Sequence, residues 1–238
     1  MDIAMPDNDM AALNKKFLLL QINDALFPIG SYVHSYGLET YVQHGLVYDQ
    51  NTAQQWMMQY IDNAFLYSEL LAVKLTYDHS HTHNLTAILT MEQLYLAAKA
   101  PQELRNASIK LGNRFIKMLQ TLSLAGIDNI FKQYINNSQD HCHPIVYGIF
   151  CAATDINIDD CLDNYLYSQM AGLINICVKS VPLSQTAGQQ ILQQCYTRWP
   201  QLLKKLSALT IDDFCIAVPG FDLRSMQHET LYSRLYMS

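Results

Sequence analysis

The stretch that decides the fold is Leu162–Val181, LDNYLYSQMAGLINICVKSV. Leu162, Leu166, Met170, Leu173 and Cys177 recur three or four positions apart, and Ile174, Val178 and Val181 widen the same stripe. A helix puts all of these on one side, whereas a strand scatters them over both faces. Lys179 falls in the last turn, where the helix dipole favours a cation, and Pro182 stops the run. Upstream, Leu111, Phe115, Leu119 and Leu122 repeat the pattern. Thr52 to Tyr77 contains no Gly or Pro and carries Met57, Ile61, Ala64, Leu71 and Leu75, so it reads as one long helix buried over much of its circumference. Thr90-Met-Glu-Gln93 resembles a capping box. Pro101 and Glu103 suit a first helical turn, and a further helix runs from Thr186 toward Tyr196. No alternating runs joined by Asn-Gly or Asp-Gly turns occur. The expectation is an all-α protein, a single compact domain of roughly ten helices over residues 13–220. Residues 1–12 read as disordered, and a mobile tail, 221–238, follows Pro219-Gly220.

Composition narrows the function classes. The 238 residues are 50% hydrophobic but only 15% charged, against about 25% charged in an average soluble domain. Fifteen Lys and Arg face twenty-one Asp and Glu, a net charge of −6. That balance disfavours nucleic-acid binding, which needs a basic face. The 15 Tyr and 10 Met are residue types enriched at protein interfaces. A monomer covered by Asn, Gln, Ser and Thr accounts for the same numbers. No apolar run approaches the roughly 20 residues of a membrane span, and MDIAMPDNDM lacks the pattern of a signal peptide. The six cysteines include no C-x-x-C pair. A soluble, cytoplasmic chain with reduced thiols is expected.

The residues offer little toward catalysis. There is no G-x-x-x-x-G-K-[ST] or G-x-G-x-x-G phosphate cradle, and no G-x-S-x-G elbow. Asp155-x-Asn157-x-Asp159 opens like a calcium loop, but Asp160 and Leu166 stand where that loop needs Gly and Glu, so it reads as an acidic helix start. His79, His81 and His83 alternate, and an extended loop would point all three one way; His141-Cys142-His143 forms a second cluster. Imidazole and thiolate suit nickel, copper or zinc. Neither cluster has the spacing that pairs ligands on a helix face, and a solvated loop is the plainer reading.

Two strings stand out. In Phe27–Glu39, FPIGSYVHSYGLE, Pro28 and Gly30 form a turn, and the following helix would share Tyr32, Ser35, Tyr36 and Glu39 on one face. Gly37 inside that helix costs about 1 kcal/mol against Ala, tolerable where another backbone comes close. Val178–Gln189, VKSVPLSQTAGQ, is a corner between helices. Ordinary packing explains either string as well. The tail mixes Leu223, Met226, Leu231, Tyr232, Leu235 and Tyr236 with Arg224 and Arg234. A helix that short is marginal alone, so it must dock on its own domain or on a partner.

Together with the ending MQHETLYSRLYMS (Met226–Ser238), two of these segments, LLQINDALFPIGSYVHSYGLETYV (Leu19–Val42) and KSVPLSQTAGQ (Lys179–Gln189), resemble the urease accessory protein UreF family. RNASIKLGNRF (Arg105–Phe115) and HPIVYGIFCAA (His143–Ala153) fit the same resemblance, so it runs in order through nearly the whole chain. Ser184 stands where many relatives have Gly, and Val33-His34 is also a departure. The resemblance implies an all-α homodimer that is not an enzyme and has no cofactor of its own. It implies a bridge between UreD (also called UreH), which contacts apo-urease, and UreG, a nickel-binding GTPase. Nickel is then handled by the complex. The implied partner-binding residues are Tyr32, on the surface that recruits UreG, with His34, Tyr36 and Glu39 of the same string. Lys179 and Gln185 come from the corner. His228, Tyr232 and Arg234 come from the tail, which orders on UreD/UreH. The competing readings are a helical metal-dependent hydrolase and a stand-alone nickel metallochaperone using the His-rich segments.

Overall fold

A computed structural model describes residues 7–122, 124 and 127–238. The α-helices are α1 (Asp7–Ile22), α2 (Leu38–Gln43), α3 (Gln50–Gln59), α4 (Leu71–His81), α5 (Leu85–Ala98), α6 (Gln102–Thr121), α7 (Asn129–Asn137), α8 (His143–Ala153), α9 (Ile158–Ser180), α10 (Gln185–Tyr196), α11 (Trp199–Ala208) and α12 (Pro219–His228). Among the described residues there is no strand, and the all-α expectation holds.

The expected stripes face inward. Leu111, Phe115 and Leu119 of α6 and Leu162, Leu166, Met170, Leu173 and Cys177 of α9 are all buried. At the centre lies α8, HPIVYGIFCAA, buried along its whole length and packed by α4 and α6. Two glycines permit this approach. A Cβ at Gly148 would lie 2.5 Å from the Val73 carbonyl oxygen of α4, and one at Gly112 would lie 1.8 Å from the His141 carbonyl oxygen. Thr52 to Tyr77 is helical without a break, but Tyr60–Leu70 is π-helical and joins α3 to α4. Asn157 caps α9, its side chain accepting from the Asp159 N–H at 2.8 Å, so the acidic helix start is what Asp155 to Asp160 form.

Several local expectations change. Helix α5 starts at Leu85, with the Asn84 side chain accepting from the Ala87 N–H at 3.1 Å, so Thr90–Gln93 caps nothing. Its Glu92 is buried instead, accepting from Tyr134 Oη (2.5 Å), Ser138 Oγ and the Cys142 N–H (2.8 Å). His79 and His81 end helix α4 rather than lying in a loop. The helix expected over Tyr32–Glu39 is broken. Ser31–Val33 is a short 3-10 turn, Tyr36 and Gly37 take φ of 54° and 81°, and α2 begins at Leu38. Gly37 therefore caps a helix instead of interrupting one. The close neighbour foreseen for it is Ser225, whose Oγ would be 2.6 Å from a Cβ there. Residues 1–6 of the expected disordered N-terminus lie outside the described residues, and from Asp7 the chain is helical. The division at residue 220 falls inside α12, because Pro219 opens a helix, where its missing N–H costs nothing, rather than closing one.

Candidate functional site

The strings singled out from the sequence build two sites. The first is an open cleft of about 390 Å³. The Pro28-Ile29-Gly30 turn supplies Ile29, Ser31 and Tyr32 to one wall; α9 supplies Tyr167, Ser168 and Asn175; α10 supplies Gln185 and Gln189. His143 and Tyr147 of α8 line its floor. The turn is held from below. Gly30 has φ of 86°, and a Cβ there would lie 2.4 Å from Arg114 Nη1, which donates to the Ile29 carbonyl at 3.1 Å. Tyr32 is left 62% exposed. The α9–α10 corner needs a second glycine, since a Cβ at Gly188 would lie 2.5 Å from Val178 Cγ2. Ser184 does not disturb that corner. Its φ is −75° and its Oγ accepts from the Ala187 N–H, so it serves as the cap of α10.

The cleft is polar and mildly acidic. No Lys or Arg lines it, and Asp24 is its one carboxylate. Asn23 is fully used: Nδ2 donates to the Leu19 carbonyl (2.9 Å) and to Tyr147 Oη (2.8 Å), while Oδ1 accepts from Ser168 Oγ (3.0 Å). Burial lowers the His143 imidazole to a pKa of about 4, with Glu69 opposing, so the floor is uncharged at neutral pH. Such a surface offers hydrogen bonds and tyrosine faces beside one carboxylate, a set that disfavours a phosphate.

The second site is a clasp that holds the end of the chain to the domain. His228 has no exposed surface. Its Nε2 faces Glu39 Oε2 at 3.0 Å and its Nδ1 faces Glu103 Oε2 at 2.7 Å, an arrangement that accommodates a ring donating from both nitrogens. Glu39 also accepts from the backbone N–H groups of Leu235 (2.7 Å) and Tyr236 (3.2 Å). Glu103 accepts from Arg234 Nη1 at 2.6 Å. Beyond, the Ser238 main-chain oxygen accepts from the Ser35 N–H (2.5 Å) and Oγ (2.7 Å), and Ser238 Oγ lies 2.9 Å from His34 Nδ1. Burial first, then Lys110 and Arg114, lowers His34 to a pKa of about 4.

The predicted site residues thus divide. Tyr32, Gln185, Lys179, Tyr232 and Arg234 reach the surface to differing extents, with Lys179 exposed just beyond the cleft and Tyr232 fully projecting. His34, Glu39 and His228 are buried, and Tyr36 is half-buried beside Tyr60. The polar atoms of His34, Glu39 and His228 are engaged within the domain, and the Tyr36 ring packs against Tyr60. The break at Tyr36–Gly37 is the reason: it turns His34, Ser35 and Glu39 inward while leaving Tyr32 outside. Asn23, Glu103 and Arg114 were not foreseen as site residues. Glu103 carried a helix-start signal only, and no spacing marked the other two.

The structure does not assemble the metal candidates. His81 packs edge-on against Tyr77 (4.7 Å between centroids), and His83 lies 3.6 Å from Asp128. His141 uses both ring nitrogens, on Asn113 Oδ1 and the Ile135 carbonyl. Cys142 and His143 point into the core, where burial drives the thiol pKa strongly upward. Among the described residues, no group of three or more His, Cys, Asp or Glu is placed to hold a metal ion.

Fold and motif placement define a class first, an all-α protein whose distant sequence strings converge on one open cleft and one terminal clasp. Comparison with known proteins supplies the family. The UreF family model matches residues 47–196. The urease accessory protein UreF of Lachnoclostridium phytofermentans is 30% identical over 221 residues, covering 92% of this chain and 97% of that protein. The chain belongs to the UreF family. Among the described residues, no helix is long and apolar enough to cross a membrane.

Proposed function

We propose that this chain is a non-catalytic urease accessory protein that works as a cytoplasmic homodimer. In this reading it bridges UreD/UreH, and through it apo-urease, to the GTPase UreG, so that the complex delivers nickel to urease. The chain holds no resident cofactor, and nickel passes through it or past it as cargo. The observation that carries the reading is the cleft. Strings about 150 residues apart in sequence, around Tyr32 and around Gln185, line one open and polar surface. Tyr32 stands 62% exposed at the edge of that surface, on a glycine turn that Arg114 holds in place.

Tyr32 with Gln185 would receive UreG, and the terminal segment would receive UreD/UreH. Tyr232, Leu235 and Met237 project from that segment, while Glu39 and Glu103 anchor it. Partner binding then settles exposed residues onto a new surface without having to order the segment from nothing, which reduces the entropic cost of association. The test is co-purification of the tagged full chain with UreD/UreH, UreG and apo-urease. Tyr32→Ala is expected to lose UreG and keep UreD/UreH. Arg234→Ala is expected to weaken both, since UreG is recruited to the assembled complex. Unchanged recovery of all partners by both variants would sink the reading.

A further inference from the structure

The outward face of α6 is basic in an otherwise acidic molecule. Lys110, Arg114 and Lys117 follow one another at i, i+4 and i+7 and are all exposed, so they line one side of the helix over about 10 Å. The other exposed residues between Gln102 and Thr121 are Gln, Asn and Thr, with no Asp or Glu among them. Among the described residues none of the three cations has an ion-pair partner within 4.0 Å, a condition shared with Lys132, Lys179 and Lys204; what distinguishes the α6 three is their succession on one exposed face with no acid between them. Arg114 spends one N–H on the Ile29 carbonyl, and its remaining donors are uncommitted.

The positive face continues into the clasp. Lys110 and Arg234 line the same shallow hollow as His34 and Glu103. Glu103, the acid there, already serves His228 and Arg234. Lys110 and Arg114 both act against protonation of His34, which marks the local field as positive. The opposite side of α6, Leu111, Phe115 and Leu119, is buried, so the cations cannot turn inward.

We propose that the outward face of α6 is an electrostatic docking strip for an acidic protein surface, that of the partner which engages the terminal segment. This rests on the reading given above and adds the chemistry of the contact. A chain of net charge −6 repels another acidic protein at long range; a strip of three uncompensated cations beside the clasp supplies local attraction and fixes orientation. Four cations, counting Arg234, are few for nucleic acid, whose binding draws on many phosphate contacts, and no exposed aromatic residue lies among them on α6 to stack a base.

The experiment compares the full-length parent with Lys110→Glu/Lys117→Glu. Both side chains are exposed and make no bond within the domain, and Arg114 is kept because it holds the glycine turn. Association with UreD/UreH is followed at low and high salt. For the parent, the association rate is expected to fall at least about 10-fold from low to high salt. The variant is expected to lose about 10-fold at low salt and most of the salt dependence, with little change in dissociation. Equal rates and equal salt slopes for both proteins would overturn the proposal. So would weaker self-association of the variant by light scattering with partner binding intact, which would make the strip a contact between copies of this chain. Duplex DNA binding by the parent, lost in the variant, would also overturn it. Should the parent fail to bind UreD/UreH at all, the reading of function falls instead, and a polyglutamate peptide decides on the strip. Capture by the parent but not the variant sustains it, and capture by neither overturns it.

Discussion

The cleft and the clasp are built from the same thirteen-residue string, Phe27–Glu39, with opposite chemistry. At the cleft the string presents Tyr32 outward among amides and hydroxyls, with no Lys or Arg lining it. Seven positions later it delivers Glu39, buried and committed to His228 and two backbone amides. The difference is one of dielectric. A neutral polar group can sit at an open surface at little cost and await a partner. A carboxylate taken out of water needs its hydrogen bonds at once. The clasp therefore spends its charges within the chain, and the cleft is where polar groups remain available.

The largest expected effect lies at the clasp. Glu39→Ala leaves His228 and the Leu235 and Tyr236 N–H groups without their acceptor in a buried place, and should cost about 3–5 kcal/mol. Denaturant melts would read that loss, and hydrogen exchange should place it first at α12 and residues 229–238. A fall below 1 kcal/mol would mean that water replaces Glu39, and that the clasp is no more committed than the cleft.

Next comes pH, which acts on both regions. His34 at the clasp and His143 at the cleft floor each sit near a pKa of about 4, below the ordinary 6.5, with burial the main cause. Between those values the unfolded chain binds protons that the folded chain refuses. Their contribution is present in full above about pH 6.5 and is lost progressively as pH falls toward 4, by up to roughly 3 kcal/mol each. Melting temperatures across that window should fall for the parent and fall less for His34→Gln or His143→Gln. A steeper fall for either variant would reverse the sign and refute the assignment of neutral, buried rings.

The smallest stability effect is at the cleft. Tyr32→Ala should change stability by no more than about 0.5 kcal/mol while abolishing recovery of UreG. If the variant melts well below the parent, Tyr32 belongs with the structural half of the string, and the contrast between the two regions disappears.

How much of this was legible in the sequence depends on the range of the interaction. Helical periodicity is local, so the stripes of α6 and α9 were readable and are buried as expected. The sharp reversal at Tyr36–Gly37 was not, because Ser-Tyr-Gly-Leu-Glu satisfies helical spacing as well as it satisfies a break. What decides is Ser225, far along the chain, whose contact with Gly37 fixes α12 against α2. The same holds for Glu92, whose partners Tyr134, Ser138 and Cys142 lie more than forty positions away, so it looked like part of a local cap. The candidate site was half readable. Tyr32 and Gln185 emerged from unusual strings and do line one cleft. His34, Glu39 and His228 emerged from the same strings and lie buried in the clasp, since a motif does not record whether its residues face in or out.

Gly148 sets a dimension that no side chain sets. With a hydrogen in place of a methyl group, α8 rests against the carbonyl of Val73, and a Cβ would fall 2.5 Å from that oxygen. Because α8 is buried on every side, an added methyl group could be relieved only by moving the whole rod. The N-terminal end of that rod carries His143, with Tyr147 one turn further on. Cleft depth is thus gauged by a shim of zero thickness about one and a half turns away, and thickening the shim by one carbon would lift the floor beneath a wall that Arg114 holds fixed.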